Sequence, residues 1–448
     1  MSAPTDARGS TFLACESGCP GRIDANEVRY RCPSCAGLLE VRRDLGPLAQ
    51  IAAGEWRQLF DGRGPTRMGW DASGVWSKRE WVLPEATAGE AVSLGEGFSP
   101  LVPVPRLARE IGVGELWVKE CGVAHTGSFK DLGMSVLVTQ VVRLRKAGVP
   151  VRAVACASTG DTSAALAAYG AAAGLPVVVL LPKSKVSTAQ LVQPLAHGAL
   201  VLALQTDFDG CMRLVQQLSE DPAIYLANSM NPWRLEGQKT VAVEIVQQLG
   251  WEAPDWIALP GGNLGNTGAI GMGLALVEKL AGVPRHTKLL VGQVESANPF
   301  FRSFGAGFRV RPTVVAGDTA ATAIRIGAPV SYGRAIRALE RCGGIVTSAS
   351  EDAIADAAAL ADGLGQYLCP QTAAALEGVR QAAAAGRIGS KDRVVLVATA
   401  HGLKFTEAKV RYHEGTLAGA DSRRANAPVE VEASLAAVRR ALKERERR

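Results

Sequence analysis

The sequence predicts an α/β protein with parallel sheets that are covered by helices on both faces. Short, continuously apolar runs recur along the chain, and Ala-rich helical stretches such as 162–174 and 351–365 separate them. Strands that are apolar on both faces are typical of buried parallel sheets. In such folds ligands bind at the carboxyl ends of the strands, where turns lead into helices. The predicted strands are 116–119, 153–157, 177–181, 200–204, 256–259, 289–294 and 394–398.

Length and composition are those of a globular protein with two or three domains. The chain has 448 residues, of which 47% are hydrophobic and 21% charged. No apolar run reaches the roughly 18 residues that a membrane-spanning helix needs, and the N-terminus lacks the apolar stretch of a secretory signal. We therefore expect a cytoplasmic protein that does not bind a membrane.

The positive net charge is concentrated at the C-terminus. Of the net charge of +6, residues 439–448 supply +4, since they contain six Lys or Arg and two Glu. The stretch from 426 to 448 predicts a basic amphipathic helix with a solvated face. No aromatic residues alternate with these charges, so we do not expect binding to nucleic acid.

The first motif that carries chemistry places a lysine where a strand leads into a helix. HTGSFKDLGM (125–134) follows the apolar run LWVKE and precedes the helical run SVLVTQVVRLRK. Partial desolvation at such a junction lowers the pKa of a lysine and leaves more neutral amine for Schiff-base formation. Lys130 is therefore a candidate for this chemistry. Taken alone, the motif fits a surface lysine better, and it lacks the GK[ST] ending of a Walker motif.

Two further motifs predict loops that bind anions. ASTGDTSAALAAYG (157–170) sets small hydroxyl residues before an Ala-rich helix, and PGGNLGNTGAIGMGL (260–274) has three glycines in the turn after a strand. Exposed N–H groups at a helix N-terminus bind anionic groups. The alternatives are an ordinary N-cap for the first motif and a tight turn for the second. A fourth motif, VVLVATAHGLKF (394–405), ends a strand at the neutral hydroxyl of Thr399.

Lysine, hydroxyl loop, glycine loop and terminal threonine follow one another in an order that resembles the fold type II pyridoxal-phosphate (PLP) enzymes. Within these enzymes the sequence is most similar to the threonine synthases of the plant-type branch. The resemblance covers about residues 90–415. Besides the motifs above, it is carried by TDFDGCMRLV (206–215) and NSMNPWRLEGQKT (228–240).

The resemblance implies an architecture like that of the tryptophan synthase β chain, with two open, twisted parallel-sheet domains and a small N-terminal zinc-ribbon-like segment. This segment would comprise residues 1–45. Residues 46–130 and 245–425 would form the large PLP-binding domain with an N-terminal arm, 131–244 a smaller α/β domain, and 426–448 the basic helix. Members of the family are commonly homodimers.

The resemblance also implies the roles of the site residues. Lys130 would form the Schiff base with PLP and act as the catalytic base, while Thr399 would contact the pyridine nitrogen. The cofactor phosphate would be held by Gly262, Asn263, Leu264, Gly265 and Asn266. Ser158, Thr159 and Thr162 would bind the substrate carboxylate. Asn228, Ser229, Arg234 and, more weakly, Lys239 would bind the substrate phosphate. The implied reaction converts O-phospho-L-homoserine and water to L-threonine and phosphate.

Two features depart from the family pattern. Many fold type II enzymes have Asn where this chain has Asp161, which would face the phenolic oxygen of the cofactor, although the plant-type branch also has Asp at this position. A carboxylate can donate a hydrogen bond there only if one oxygen is protonated. Plant enzymes also bind the activator S-adenosylmethionine through a longer segment before the first strand. The corresponding segment 109–119 is short here, which argues against such activation.

Four of the nine cysteines are clustered near the N-terminus. Cys15, Cys19, Cys32 and Cys35 have the spacing C-x3-C-x12-C-x2-C. The stretch RCPSCAGLLEV resembles a zinc-ribbon knuckle, and four thiolates would form a closed, structural zinc site. The alternative is a degenerate ribbon without metal.

Two other functions remain open. A related PLP enzyme could act on another amino acid, as cysteate-synthase-like or threonine-dehydratase-like enzymes do. Arg234 and its surrounding segment favour a substrate that bears phosphate. The chain could also be a non-catalytic protein with the same fold, although the lysine, the glycine loop and the threonine are all present.

Overall fold

The computed structural model describes residues 10–158, 160–183 and 188–446. Thr159, one of the predicted substrate ligands, lies outside the described residues. The strands, in chain order, are β1 Thr11–Cys15, β2 Ile23–Asp24, β3 Leu39–Arg43, β4 Leu101–Pro103, β5 Glu115–Glu120, β6 Ala153–Ala157, β7 Val177–Pro182, β8 Leu200–Leu204, β9 Ile224–Leu226, β10 Trp256–Pro260, β11 Lys288–Val294, β12 Ile345–Ala349 and β13 Arg393–Ala398.

The helices connect and cover these strands. In chain order they are α1 Gly46–Ala49, α2 Ala53–Asp61, α3 Arg79–Val82, α4 Pro105–Ile111, α5 Lys130–Lys146, α6 Asp161–Ala172, α7 Thr188–Ala196, α8 Phe208–Leu218, α9 Trp233–Gln238, α10 Thr240–Gln248, α11 Gly265–Ala281, α12 Pro299–Gly305, α13 Tyr332–Cys342, α14 Glu351–Gly363, α15 Pro370–Ala384, α16 Thr406–His413 and α17 Leu435–Glu446. No helix in the described part of the chain is long and apolar enough to cross a membrane.

Strands β4 to β13 form two sheets that are parallel apart from one edge strand. The larger has the order β12-β11-β10-β13-β5-β4, and only β4 runs antiparallel to its neighbour. The smaller has the order β8-β7-β6-β9 and is parallel throughout. The central strands β6, β10 and β13 are almost wholly buried, because helices cover both faces. The predicted α/β class with two parallel sheets is confirmed.

The N-terminal segment forms a small antiparallel sheet of its own, with the order β2-β1-β3. Cys15 ends β1, and Cys32 lies in the loop that precedes β3. This strand arrangement brings the start and the end of the segment together.

Two segments differ from the sequence-based expectation. No helix was predicted within the N-terminal arm, but the arm contains α2, in which Trp56 and Phe60 are fully buried one turn apart and pack against Trp81. The C-terminal helix begins only at Leu435 rather than near residue 426. Ser434 accepts a hydrogen bond from Ala437 N at 3.2 Å and so caps the helix.

Candidate active site

The pairing of two strands brings Lys130 beside Thr399. β13 pairs in parallel with β5, with Ala398 opposite Glu120, so that both strands end at the same edge of the larger sheet. Just beyond this edge, Phe129 N donates to Thr399 O at 2.9 Å. Lys130 is the first residue of α5. The first and the fourth motif of the sequence therefore meet at one edge.

The environment of Lys130 favours its neutral amine. Burial, reinforced by the positive charge of Arg234 and opposed by Asp161, lowers the pKa of Lys130 to about 7. The ammonium nitrogen lies 4.3 Å from the centre of the Phe129 ring. A lysine that is half neutral near physiological pH is suited to Schiff-base formation and to proton transfer.

The turn before Lys130 is held by a residue that sequence reasoning did not assign. The fully buried carboxylate of Asp131 accepts hydrogen bonds from Thr126 N, at 2.8 Å, and from the Thr126 hydroxyl. Burial raises the pKa of Asp131 to about 7, although these hydrogen bonds oppose the rise. Its position directly after the lysine in the motif was the available signal.

The glycine loop leads from β10 to α11 and has no room for side chains at its start. A Cβ at Gly261 would lie 2.4 Å from Val291 Cγ1, and one at Gly262 would lie 3.1 Å from Ala323 O. Leu264 has a φ of +65° and precedes the first helical residue, Gly265. The loop therefore presents bare backbone at the N-terminus of a long helix.

This loop also contains polar atoms that need a ligand. Both side-chain amide atoms of Asn266 are buried without a hydrogen-bond partner in the described residues, and so is the Thr267 hydroxyl. Asn263 Oδ1 and O accept from Val330 N and Ser331 N. Buried polar groups without partners are rare in native proteins. Together with the unpaired N–H groups of the first turn of α11, they fit an anion such as a phosphate group.

The hydroxyl loop lies between β6 and α6. Ser158 Oγ accepts from Gly160 N at 3.2 Å and from Ser163 N at 3.3 Å, so this hydroxyl is engaged in capping. Thr162 Oγ1 lies 3.5 Å from Arg234 Nη2, which joins the loop to α9. Two of the predicted substrate ligands thus come together.

Arg234 is buried and its hydrogen-bonding capacity is only partly used. Its side chain is 3% exposed, Nη1 donates to Ala227 O at 3.2 Å, and Nε has no hydrogen-bond partner in the described residues. Burial lowers the pKa of Arg234 to about 10. A buried guanidinium with unfilled donors is suited to bidentate binding of a phosphate or carboxylate.

The other predicted phosphate ligands differ in whether their polar side-chain groups already have partners. Asn228 is committed to β6, because its side chain accepts from Ala157 N at 2.9 Å and donates to Ala157 O at 2.8 Å. Ser229 follows it and is half-buried. The ammonium of Lys239 pairs with Glu236, which also faces Arg43. This buried ion pair makes Lys239 a poor candidate for binding substrate.

Thr399 is held by a second threonine. Thr399 N donates to Thr372 Oγ1 at 3.1 Å, and the two hydroxyl oxygens are 3.5 Å apart. The thiol of Cys369 lies 3.0 Å from the same Thr372 oxygen. The Thr399 hydroxyl is therefore fixed at the end of β13 by neutral groups.

Asp161 has a partner that sequence reasoning did not assign. Lys404 Nζ lies 2.7 Å from Asp161 Oδ1. Lys404 belongs to the same motif as Thr399, TAHGLKF, which was the available signal. Asp161 is thus paired with a cation at the N-terminus of α6.

The four N-terminal cysteines converge on one point. Their sulfur atoms all lie within 4.8 Å of one another, and those of Cys15 and Cys35 are 3.5 Å apart. The amides of Ser17 and Gly37 donate to the Cys15 and Cys35 sulfurs at 3.3 and 3.4 Å. Four sulfurs at this spacing could hold a zinc ion tetrahedrally, since Zn–S bonds are about 2.3 Å long.

Comparisons with known proteins agree with this geometry. Residues 92–400 match the family model described as pyridoxal-phosphate dependent enzyme. Chloroplastic threonine synthase 2 of Arabidopsis thaliana is 50% identical over 94% of this chain and 81% of its own length. The threonine synthase of Methanocaldococcus jannaschii is 36% identical over 95% of this chain and 98% of its own. The solved threonine synthase of Escherichia coli shares the fold, with a TM-score of 0.70 and 19% identity over 97% of this chain and 100% of that one. The chain belongs to the pyridoxal-phosphate-dependent enzymes and, within them, to the threonine synthases.

Proposed function

We propose that the chain converts O-phospho-L-homoserine and water to L-threonine and phosphate, with PLP bound at Lys130. The observation that carries the proposal is a buried, partly unpaired Arg234 whose charge acts on a lysine of lowered pKa. A phosphate-bearing amino acid would place its anion at the guanidinium and its reacting carbons near the amine. The relatives are named threonine synthases, which supports threonine as the product.

The residues present fit the cofactor. The backbone of Gly262 to Asn266, with the buried amide of Asn266, would hold its phosphate, and the Thr399 hydroxyl would face its ring nitrogen. When bound, PLP supplies an electron sink for charge that develops on the substrate. A neutral hydroxyl at the nitrogen keeps that sink weaker than a carboxylate would. This difference favours elimination and replacement over transamination.

Lys130 would move the protons of the reaction. With a pKa of about 7, its amine can accept a proton and return it near neutral pH. We propose that it takes protons from Cα and Cβ of the substrate, delivers one to Cγ and returns one to Cα. Phosphate leaves from Cγ, and water adds at Cβ.

The remaining contacts would orient the substrate. Ser158, Thr159 and Thr162 would bind its carboxylate, and Arg234 with Ser229 would bind its phosphate. Asn228 would act by holding β6 and β9 together, because its side-chain amide is already occupied. Lys239 has no part in this proposal, since its ammonium is paired with Glu236.

Three further properties belong to the proposal. The cysteine cluster would bind one structural zinc ion, because its donor set is complete and leaves no open position. The protein would be a homodimer, as the resemblance to the family implies. It would act in the cytoplasm, where its free, buried thiols such as Cys156 and Cys369 stay reduced. Since the Arabidopsis relative is named as chloroplastic, cell fractionation is the test of this location.

The test is phosphate release from O-phospho-L-homoserine, with analysis of the amino acid formed. We expect stoichiometric threonine, and we expect Lys130→Ala to abolish both products together with the visible absorbance of the Schiff base. Absence of threonine would contradict the proposal. Turnover of O-phosphoserine with sulfite instead would favour the cysteate-synthase-like alternative. Retention of the chromophore without any turnover would favour a non-catalytic protein.

A further inference from the structure

Lys404 joins the segments that carry the two cofactor-facing side chains, Lys130 and Asp161. Its ammonium lies 2.7 Å from Asp161 Oδ1 and donates to Thr126 O at 2.9 Å. Thr126 is tied to Asp131, in the first turn of α5. The ion pair is shielded from water, with side-chain exposures of 14% for Lys404 and 9% for Asp161. One cation therefore links the turn before α5, the N-terminus of α6 and the segment after β13.

The turn before α5 is shaped to receive this lysine. Gly127 has a φ of +80°, and a Cβ at this position would lie 3.0 Å from Lys404 Cδ and 3.5 Å from its Cγ. The aliphatic part of Lys404 thus packs directly on the glycine. His401 N donates to Gly127 O at 2.9 Å and fixes the same two segments to each other. The ammonium is held in place by packing as well as by charge.

We propose that Lys404 is a positioning residue of the cofactor site, which keeps Asp161 as a charge-compensated carboxylate and fixes it relative to Lys130. The inference rests on the proposed binding of PLP at Lys130. An unpaired carboxylate beside the phenolic oxygen of the cofactor would repel it, whereas many related enzymes have a neutral Asn there. The pair of Asp161 and Lys404 is neutral overall, so it reproduces the charge of an amide and keeps hydrogen-bonding groups in place.

Other titratable or charged groups lie near this pair. A test must therefore distinguish the effect of Lys404 on Asp161 from the effects of these neighbours. Lys130 is acted on by Asp161 and, in the opposite direction, by Arg234. Asp131 is acted on by Lys404. The thiol of Cys369 is buried next to Asp161, and its pKa is raised by burial first and by this carboxylate among other causes. Lys130 and Asp161 interact electrostatically. The pH at which the Schiff-base nitrogen titrates therefore reports on whether Lys404 balances the negative charge of Asp161.

The test is a spectroscopic pH titration of the bound cofactor in the holoenzyme. In Lys404→Met the uncompensated carboxylate stabilises the protonated Schiff base, so we expect its transition to move to higher pH by about 1 unit or more. In Asp161→Asn the uncompensated ammonium should move the transition to lower pH. The double variant, Lys404→Met with Asp161→Asn, should return it close to the wild-type value.

Lys409→Met is the matched control, because Lys409 of α16 forms a similarly shielded ion pair with Asp362 of α14. It should leave the transition in place. Shifts in the same direction for both single variants, or no shift in either, would overturn the role of Lys404. Should Lys404→Met fail to fold, Lys404→Gln and Asp161→Asn still decide the direction in which the transition moves.

A chromophore that survives Lys130→Ala would instead overturn the binding of PLP at Lys130, on which this inference rests. A wild-type protein that shows these shifts but forms no threonine would contradict the proposed substrate alone.

Discussion

Lys130 lies where burial and a neighbouring cation act on its amine in the same direction. Burial is the larger effect, Arg234 adds to it, and Asp161 opposes both. Asp161 is itself paired with Lys404. The reactivity of Lys130 is therefore a property of the group of residues around it.

The first prediction concerns the pH dependence of cofactor uptake. Only the neutral amine attacks the cofactor aldehyde, and the neutral fraction rises with pH through the pKa of the free lysine. The rate at which apo-protein forms the Schiff base should therefore rise with pH and reach half its maximum near pH 7. An unperturbed lysine would give a midpoint near about 10.4. Stopped-flow absorbance on apo-protein measures this rate.

Arg234→Met serves as the internal check of this explanation. Without the guanidinium, the amine loses a positive neighbour, and the midpoint should move to higher pH. A midpoint near 10 in the wild type, or a fall in the variant, would contradict the electrostatic argument.

At this scale the sequence predicted the residues of the motifs but not all their partners. Lys130 and Thr399 could be placed because each ends a recognisable strand-to-turn pattern. The pairing of Lys404 with Asp161 could not, because the two residues are far apart in the chain and meet only when both sheets have formed. Lys239 is a different case, because its partner Glu236 lies only three residues earlier. The sequence did not reveal that both side chains are buried and occupied with each other.

Lys130 is carried by α5 and Arg234 by α9, and these two helices contact each other. A Cβ at Gly237 would lie 1.8 Å from Leu132 O, and one at Gly133 would lie 2.7 Å from Arg234 O. The two helices therefore touch through their backbones. This contact sets how closely the lysine helix and the arginine helix approach.

We predict that Gly237→Ala separates α5 from α9. The added methyl group collides with backbone and not with a movable side chain, so the free energy of unfolding should fall by about 1–3 kcal/mol. KM for the phosphate-bearing substrate should rise, because Arg234 moves with α9. Gly54→Ala in α2 is the control, since nothing lies within 4 Å of its Cβ position. Equal effects of the two variants on stability and KM would contradict the prediction.

A prediction for the N-terminal sheet concerns its metal. Cys35 is exposed, so Cys35→Ser removes a zinc ligand with little loss of core packing. We expect about one zinc ion per chain in the wild type, less in the variant, and a lower Tm for the variant and for chelator-treated wild type. Metal content by atomic emission and a thermal scan measure both. Cys342→Ala, outside the cluster, should retain the metal, and a wild type without zinc would support a degenerate ribbon.

Secondary structure was predicted well where strands are fully buried and less well in the outer segments. β6, β10 and β13 could be recognised because burial on both faces requires unbroken apolar runs. The helix α2 was missed because only two of its residues, Trp56 and Phe60, face the core. The start of α17 was placed too early, because the cap at Ser434 lies within a polar stretch.

For the molecule as a whole, the N-terminal sheet is docked on the larger sheet's helices through buried arginine contacts. Arg334 of α13 donates to Leu39 O at 2.5 Å, and its Nε lies 3.2 Å from Glu16 Oε2. Arg43 of β3 donates to Trp81 O and Val82 O at 2.8 and 2.9 Å. The docking is therefore built from cations that satisfy carbonyl groups of another segment.

Arg334→Met should destabilise this docking far more than Arg337→Met does. Both arginines contact Glu16, but the side chain of Arg334 is 2% exposed and that of Arg337 is 46% exposed. Removing Arg334 leaves the Leu39 carbonyl without this donor and the shielded carboxylate of Glu16 without its buried ion-pair partner, at a cost of about 3–5 kcal/mol. The exposed pair contributes less than about 1 kcal/mol. Denaturant unfolding, followed together with limited proteolysis of the N-terminal segment, compares the two variants. Equal losses would mean that burial of the arginine does not determine how strongly the N-terminal sheet is held.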